Sequence, residues 1–455
     1  MKQSTIAAIA TPAGEGGIGI VRISGPQAIR VADKVFSSAS GKRLEQTKGY
    51  CALFGHVSFE EKTIDEAVAL VFRAPRSYTG EDVVELSVHG GRYVQKQVLR
   101  AVLAAGATFA QGGEFTKRAF LNGKIDLSQA EAVAAIISAS GEQALRAAVS
   151  AKSGKISECI ESIKNSVLAA AASVAAYSDY PDEDEEFSGI NTLSDRLSAA
   201  VCELDTLIKD YDNGRVIREG INTAIIGTPN VGKSTLMNYL SGHERSIVTE
   251  IAGTTRDTIE ETVLLGDIKL NLCDTAGIRD TGDTVEKIGV DRAKQRIKTA
   301  ELILAVFDAS RELDPDDIKI LESADPARTI VVLNKTDIKN LVTASDFDRF
   351  PLTVVSISAK NGKGGNEIKK AIENLININT ISSEGVYLVS ERQRECAVKA
   401  KRDLQEALDI LQDGMTIDAV GTCIDDALAT LMELTGQRVT VEVTDEVFKN
   451  FCVGK

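Results

Sequence analysis

Apolar and polar positions alternate with a period of two through much of the first 120 residues. "IDEAVALVFRAP" (64–75) and "DVVELSVHGG" (82–91) therefore read as strands. The opening "MKQSTIAAIATPAGEGGIGIVRISG" reads as a strand, a glycine loop and a second strand. "GRYVQKQVLRAVLAAG" (91–106) switches to helical spacing, and Gly106 supplies a C-terminal stop. Residues 1–120 are thus an α+β module. From 121 to 218 the texture changes to a long alanine-rich helix, "SQAEAVAAIISASGEQALRAAVSA" (128–151) and onward. Within it "VLAAAASVAAY" (167–177) suits a buried helix. "DYPDEDEEF" (179–187) breaks the helix at Pro181 and continues as an acidic, solvated loop.

Residues 219–380 alternate strand and helix: "INTAIIG", "IKLNLCD", "ELILAVFDA", "TIVVLN" and "LTVVSIS" are mainly apolar runs. Such runs between helices predict a parallel sheet covered on both faces. From 381 to 455 the helical texture returns in "ERQRECAVKAKRDLQEALDILQ" and "IDDALATLMELTG". The expected fold class is multidomain, α+β followed by α/β. An α/β domain at 219–380 is inserted between helical parts at 121–218 and 381–455, which pack together to bury their apolar faces.

Composition narrows the choice. At 455 residues the chain exceeds one ordinary core, and its 43% hydrophobic content is that of a globular protein. No run approaches the roughly 18 apolar residues of a membrane span, and no signal-peptide core precedes a cleavage site. The seven cysteines are scattered, odd in number and form no CxxC pair. Reduced thiols and a cytoplasmic location are expected. The three histidines lack zinc-ligand spacing. A formal charge of −14 requires any nucleic-acid contact to use a local basic patch or a partner. Arg92 and Lys96, with Arg100 near them, share one helical face and form one such candidate; the simpler reading, that they solubilise that helix, is the preferred one.

"GTPNVGKS" (227–234) follows a strand and opens a helix. This is the phosphate-loop pattern: backbone N–H groups and the helix N-terminus wrap phosphates. Gly232 allows close backbone approach, Lys233 reaches the β- and γ-phosphates, and the Ser234 hydroxyl ligates Mg²⁺. "DTAG" (274–277) ends a strand, with Asp274 toward the magnesium shell and the Gly277 N–H toward the γ-phosphate. "NKTD" (334–337) offers the Asp337 carboxylate to guanine N1 and N2, with Asn334 and Lys335 framing the base. "SAK" (358–360) offers an N–H to guanine O6. Adenine cannot make the Asp337 pair, so GTP is the expected nucleotide. These four segments together resemble the GTPase superfamily.

Hydrolysis needs a water-orienting group and a positive charge at the γ-phosphate. The residue after DTAG is Ile278, which cannot hydrogen-bond, and no arginine finger is evident. "TEIAGTTRD" (249–257) occupies the switch I place. Thr255 is the natural second Mg²⁺ ligand. Thr249, Ile251 and Thr254 can turn backbone oxygens toward a monovalent cation, and Asn230 can add a side-chain oxygen. Asn230 also reads as a loop asparagine that satisfies its own backbone. Glu286, in "DTVEKIGV", is a candidate to orient water; taken alone it reads as a surface glutamate.

"IAGTTRD", "DTAGIRDTGDTVEKIGV", "SYTGEDVVELSVHGG", "GGEFTKRAFLNGKIDLSQAEAV" and the terminal "FCVGK" are similar to the MnmE (TrmE) family of potassium-activated tRNA modification GTPases. The resemblance spans the chain; the family tail is more often Cys-Ile-Gly-Lys, so Val453 is a mild departure. It implies an N-terminal dimerisation domain that binds a tetrahydrofolate one-carbon carrier, the 5-formyl or 5,10-methylene form. It also implies a helical domain and an inserted Ras-like G domain. The homodimer's G domains would associate when K⁺ and GTP bind, one K⁺ per G domain, and the partner MnmG would carry FAD. The implied reaction places an aminomethyl or carboxymethylaminomethyl group on C5 of the wobble uridine of certain tRNAs.

By matching motifs, the resemblance implies GTP contacts at Asn230, Val231, Gly232, Lys233, Ser234 and Thr235. It extends them to Thr249, Glu250, Ile251, Ala252, Gly253, Thr254 and Thr255, to Asp274, Thr275, Ala276 and Gly277, and to Asn334, Lys335, Thr336, Asp337, Ser358, Ala359 and Lys360. It implies K⁺ ligands at Asn230, Thr249, Ile251 and Thr254, a catalytic Glu286, and folate contacts at Arg22, Glu85, Lys124 and Lys455. Arginine and lysine suit folate carboxylates, and a carboxylate such as Glu85 suits the pterin edge. Cys452 would stand where one-carbon transfer occurs, its thiolate favoured by a cation such as Lys455. A prenylation box is the rival reading of the tail, disfavoured by Gly454 and Lys455. GTP-driven approach and release of the G domains would be relayed to the folate site. An Era-like RNA-binding GTPase explains the G domain equally but leaves the N-terminal module and tail without a role. A folate-binding scaffold with incidental GTPase activity leaves the intact phosphate loop without one.

Overall fold

The computed structural model describes residues 4–139, 141–179, 190–243, 260–266, 268–273, 300–376, 385–413, 416–449, 451 and 453–454. The chain forms two compact units. One comprises 1–134, 151–204 and 390–455, the other 135–150 and 205–389.

The first unit opens with a seven-stranded sheet in the order β3-β4-β5-β6-β2-β1-β7. Its strands are β1 (Ile6–Ile9), β2 (Ile18–Ser24), β3 (Phe36–Ser38), β4 (Cys51–Phe59), β5 (Lys62–Phe72), β6 (Val83–His89) and β7 (Thr108–Phe109). The expected strand–glycine loop–strand at the start is β1 and β2, paired antiparallel. Only β1 with β7 is parallel. Period-two alternation sends Val21, Ile23, Ala69, Val71, Val84 and Leu86 to one face, where all are buried. The helices Ala28–Val35 and Arg92–Ala104 cover that face with Ile29, Val31, Val98 and Val102. Each fully buried Val or Leu contributes about 1.5–3 kcal/mol. On the other face of β1, Ile6 and Ala8 pack with Phe115 from the helix Glu114–Leu121. Leu127 and Ala130 then join Phe448 of the helix Val441–Lys449, so residues more than 300 positions apart close one apolar cluster. The helix Ile417–Thr435 packs against both Glu391–Gln412 and Lys155–Asp179.

Two helical expectations change. The long alanine-rich helix is three helices, Leu127–Ser138, Glu142–Lys152 and Lys155–Asp179. Gly141 and Gly154 fall at the breaks, where alanine's high helix propensity gives way to glycine's low one. The run 167–177 is buried on one face only: Val167, Ala170 and Val174 are inside, while Leu168 is 52% exposed. Pro181 and the acidic run beyond Asp179 lie outside the described residues.

The second unit holds a six-stranded sheet in the order β13-β12-β11-β8-β10-β9. It comprises β8 (Ile221–Ile226), β9 (Glu260–Leu265), β10 (Ile268–Cys273), β11 (Leu302–Asp308), β12 (Thr329–Asn334) and β13 (Thr353–Ser356). Five strands are parallel, as their apolar runs predict. The sheet is nevertheless mixed, because β9 adds antiparallel to β10 at the edge. Its sequence, "EETVLL", is polar over its first half, with two glutamates and a threonine, so it gives no continuous apolar signal. Strand order reverses at β8, which lies between β10 and β11. Ligands of open α/β sheets bind beyond the carboxyl ends of strands at such a switch point.

Among the described residues no helix is long and apolar enough to cross a membrane.

Candidate functional site

β8 delivers the chain to the loop 227–232 at that switch point, and the helix Lys233–His243 follows. Asn230 adopts a left-handed backbone, φ 65°. Gly232 is also left-handed, φ 97°, and a Cβ there would stand 2.4 Å from Asn334 Nδ2. Only glycine lets Asn334 come this close. The Lys233 ammonium donates to the carbonyl oxygens of Gly227 (2.8 Å) and Thr228 (2.9 Å), which holds it against the loop. Val231 is buried, whereas Ser234 and Thr235 are exposed in the first helical turn. Their positions suit a hydroxyl ligand to Mg²⁺ and backbone N–H donors to phosphate.

Asn334, buried at the end of β12, ties three motifs together. Its Nδ2 donates to the Val231 carbonyl at 3.1 Å, and its Oδ1 accepts from the Ala359 N–H at 3.1 Å. The Asp337 carboxylate accepts from the Ser358 hydroxyl at 2.7 Å. That bond, with the cations Lys360 and Lys335 nearby, holds the Asp337 carboxyl below its ordinary range. Asp337 is exposed and ionised, aligned by a buried serine. Thr336 Oγ1 donates to the Ile357 carbonyl at 2.8 Å. Lys335, also left-handed at φ 65°, pairs with Asp308 at 2.6 Å. Burial pushes the Asp308 carboxyl up, but Lys335 and Ser310 outweigh it and the net shift is down. The structure therefore brings together the predicted residues 230–235, 334–337 and 358–360. Thr249, Glu250, Ile251, Ala252, Gly253, Thr254, Thr255, Asp274, Thr275, Ala276, Gly277 and Glu286 lie outside the described residues.

The other unit gathers a second set. β2 and β6 pair Arg22 directly opposite Glu85. Arg22 Nε and Nη2 both reach Glu85 Oε1 at 2.8 Å. Nη1 donates to the carbonyl of Gly454 at 3.1 Å. The guanidinium stands 5.6 Å from the Tyr78 ring centroid and 5.7 Å from that of Phe115. Val453 bridges antiparallel to Gly112. Gly454 is left-handed, φ 96°, and a Cβ there would meet the Ile9 carbonyl oxygen at 2.4 Å. Lys124 donates to the Pro75 carbonyl at 3.1 Å and is exposed. Cys452 and Lys455 lie outside the described residues.

Sequence reading did not single out Tyr78, whose hydroxyl shares a 2.8 Å hydrogen bond with Thr116 and whose pKa is raised by burial. It also passed over the buried Glu81, which accepts from Ser24 (2.7 Å) and Arg118 (3.2 Å). Both lie in the quoted "SYTGEDVVEL". Its charged and aromatic residues within a strand approach were the available signal.

A phosphate loop at the switch point of a mainly parallel sheet, joined by Asn334 to an NKTD carboxylate, defines a P-loop GTPase. Two family models match the chain. "GTP-binding protein TrmE N-terminus" covers residues 5–124 and "MnmE helical domain" covers 127–452. Proteins called tRNA modification GTPase MnmE are similar along the whole length. That of Lachnoclostridium phytofermentans is 42% identical over 100% of both chains. That of Clostridioides difficile is 41% identical over 100% of this chain and 99% of its own. That of Bacillus subtilis is 40% identical over 100% of both. The chain belongs to the MnmE family of tRNA modification GTPases. The solved structure of Aquifex aeolicus Era bound to GDP.AlF4⁻ is 27% identical over 40% of this chain and 66% of that one, with a TM-score of 0.27.

Proposed function

We propose that this GTPase acts with MnmG, which would carry FAD, to place an aminomethyl or carboxymethylaminomethyl group on C5 of the wobble uridine, position 34, of certain tRNAs. The donor would be 5-formyl- or 5,10-methylene-tetrahydrofolate, and the setting the cytoplasm of a cell. The working form would be a homodimer. Its division would be an N-terminal domain at 1–120, a helical domain at 121–218 and 381–455, and a G domain at 219–380.

One observation carries the reading. The similarity to proteins called tRNA modification GTPase runs end to end, from the N-terminal sheet through the phosphate loop to the docked Gly454. An RNA-binding GTPase of another kind would need neither the N-terminal sheet nor a tail seated on Arg22.

The residues present fit the implied groups in part. Lys233 and the N–H groups of 230–235 suit phosphates, and Ser234 offers a hydroxyl for Mg²⁺ with Thr255 as the second proposed ligand. Asn230, turned by its left-handed backbone, suits one K⁺ ligand; Thr249, Ile251 and Thr254 are proposed for the others. Bound K⁺ supplies the positive charge that other GTPases take from an arginine. Glu286 would orient the attacking water. Arg22 and Glu85, flanked by Tyr78 and Phe115, offer donors, an acceptor and ring faces suited to a flat, polar heterocycle. Lys124 and Lys455 are proposed for the folate carboxylates. Cys452 adjoins the docked Val453 in sequence and is proposed as the thiol at the one-carbon site.

Nucleoside analysis of bulk tRNA from cells lacking the protein tests the function. Loss of the C5-modified wobble uridine is expected; an unchanged nucleoside profile would overturn the reading. GTP turnover in K⁺ against Na⁺ tests the cation, with equal rates refuting it.

A further inference from the structure

The phosphate loop is fastened at one residue to a charged pair that the GTPase motifs do not contain, its carboxylate buried and its guanidinium 35% exposed. The Thr228 hydroxyl donates to Asp317 Oδ1 at 2.9 Å and accepts from Arg311 Nη2 at 2.8 Å. Arg311 Nη2 and Asp317 Oδ2 are 2.7 Å apart. The Asp317 side chain is 1% exposed. Asp317 sits in the first turn of the helix Pro315–Glu322, and its Oδ2 also accepts from the Asp314 N–H at 3.2 Å. The Asp314 side chain in turn caps that helix through the N–H groups of Asp316 and Asp317 and accepts from Arg311 Nη1 at 3.0 Å. A capped helix start thus presents a fixed carboxylate and a fixed guanidinium to one hydroxyl of the loop.

The same residue matters from its backbone side. The Thr228 carbonyl is one of the two oxygens that receive the Lys233 ammonium. Two positions on, Asn230 takes its left-handed turn. Phosphate binding by such a loop depends on preset N–H directions, and a loop that must be ordered on binding loses affinity to that ordering. We propose that Arg311 and Asp317 are positioning residues of the phosphate loop, acting through the Thr228 hydroxyl to preset the loop and the Lys233 ammonium for the nucleotide's phosphates. Neither residue is among the predicted nucleotide contacts. Their effect is felt mainly in nucleotide affinity, because an anchored loop is prepared before binding and is equally anchored afterwards.

The proposal rests on the loop being the GTP site. The test therefore starts with the full-length wild type and a fluorescent GDP analogue. Failure of the wild type to bind would refute the GTP site itself. Thr228→Val keeps the side-chain volume and removes both hydrogen bonds. It is expected to weaken GDP and GTP binding about tenfold and to raise KM by a similar factor, with kcat within about twofold. Arg311→Met should do the same and Arg311→Lys should restore part of the loss. The double variant Thr228→Val/Arg311→Met should bind about as weakly as either single variant, because both act through one hydroxyl. A purely structural role would lower the unfolding midpoint but leave affinity unchanged, and that pattern overturns the proposal. Fully additive losses in the double variant overturn it too. Asp317→Asn should weaken binding to a similar degree; should it fail to fold, the Thr228 and Arg311 variants decide the matter alone.

Discussion

Arg22 and Gly454 are 432 positions apart in sequence, and the guanidinium of one donates to the carbonyl of the other at 3.1 Å. The same guanidinium holds Glu85. The C-terminal tail is therefore seated on the sheet of the N-terminal module by a charged group that is itself fixed by a cross-strand partner. Replacing Arg22 by Met removes both bonds and leaves a half-buried carboxylate without its cation. Hydrogen exchange of the peptide containing residues 451–454 should accelerate by about tenfold or more, while exchange in the G-domain sheet stays the same. Gly454→Ala should release the tail as well, since its Cβ would overlap the Ile9 carbonyl at 2.4 Å. Unchanged tail protection in either variant would show that the tail is held by something else.

Glu131 and Arg392 form a densely hydrogen-bonded ion pair in the helical region. Arg392 Nε and Nη2 each meet a Glu131 oxygen at 2.9 Å, and the guanidinium also donates to the carbonyls of Glu433 and Leu434. Glu131 further accepts from Ser390 and Gln393. Glu131→Ala would leave the Arg392 guanidinium, 17% exposed in the intact protein, with two carbonyl partners but no counter-charge. The expected cost is about 3–5 kcal/mol. Urea denaturation followed by helical circular dichroism measures it. A loss under about 1 kcal/mol would mean that water enters and pairs the arginine.

Asp337 sets the base preference if its carboxylate meets guanine. Asp337→Asn exchanges an acceptor for a donor. GTP affinity should fall by several powers of ten, and xanthosine triphosphate should bind in its place. Competition of unlabelled GTP, XTP and ATP against a labelled nucleotide checks the order.

The pH behaviour of that site follows from a lowered pKa. The Ser358 hydroxyl favours the ionised Asp337. A depressed carboxyl contributes fully above its ordinary value, about 3.9, and the contribution is lost only as pH falls through the depressed value. GTP affinity should therefore be level between about pH 5.5 and 7.5 as far as Asp337 is concerned. Ser358→Ala should move the acid limb upward. An acid limb that Ser358→Ala leaves unmoved would contradict the assignment.

His89, paired with Asp65, titrates in the opposite sense. A 2.8 Å hydrogen bond from the His89 ring to Asp65, strengthened by the carboxylate's charge, raises the His89 pKa. The stability it adds is complete below about pH 6.5 and is lost as pH rises through the higher folded value. Proton NMR should find His89 titrating above the ordinary histidine value, and Asp65→Asn should return it there. No change on that substitution would exclude the pairing.

The local motifs were legible because their chemistry is written in consecutive residues. "GTPNVGKS", "NKTD" and "SAK" each need a short loop after a strand, and β8, β12 and β13 with their loops deliver them. The strands of the parallel sheet were legible because burial on both faces demands unbroken apolar runs. β9 was not, since an edge strand needs no such run. The single long alanine-rich helix was misread because period alone does not show where glycine ends one helix and starts the next. Tyr78 and Glu81 were passed over because a strand approach rich in polar residues looks like a loop until its partners are known.

The sequence by itself determined which groups can do chemistry: a phosphate loop, the NKTD carboxylate, an arginine and a glutamate within strand-like runs, a glycine near the end. Those are properties of side chains and of short backbone segments. Tertiary structure alone decided which groups meet. It set Arg22 against Gly454, Asn334 between Val231 and Ala359, and Thr228 between Arg311 and Asp317. The partners in each case are brought together by sheet order and helix packing, which bury apolar surface without regard to distance along the chain.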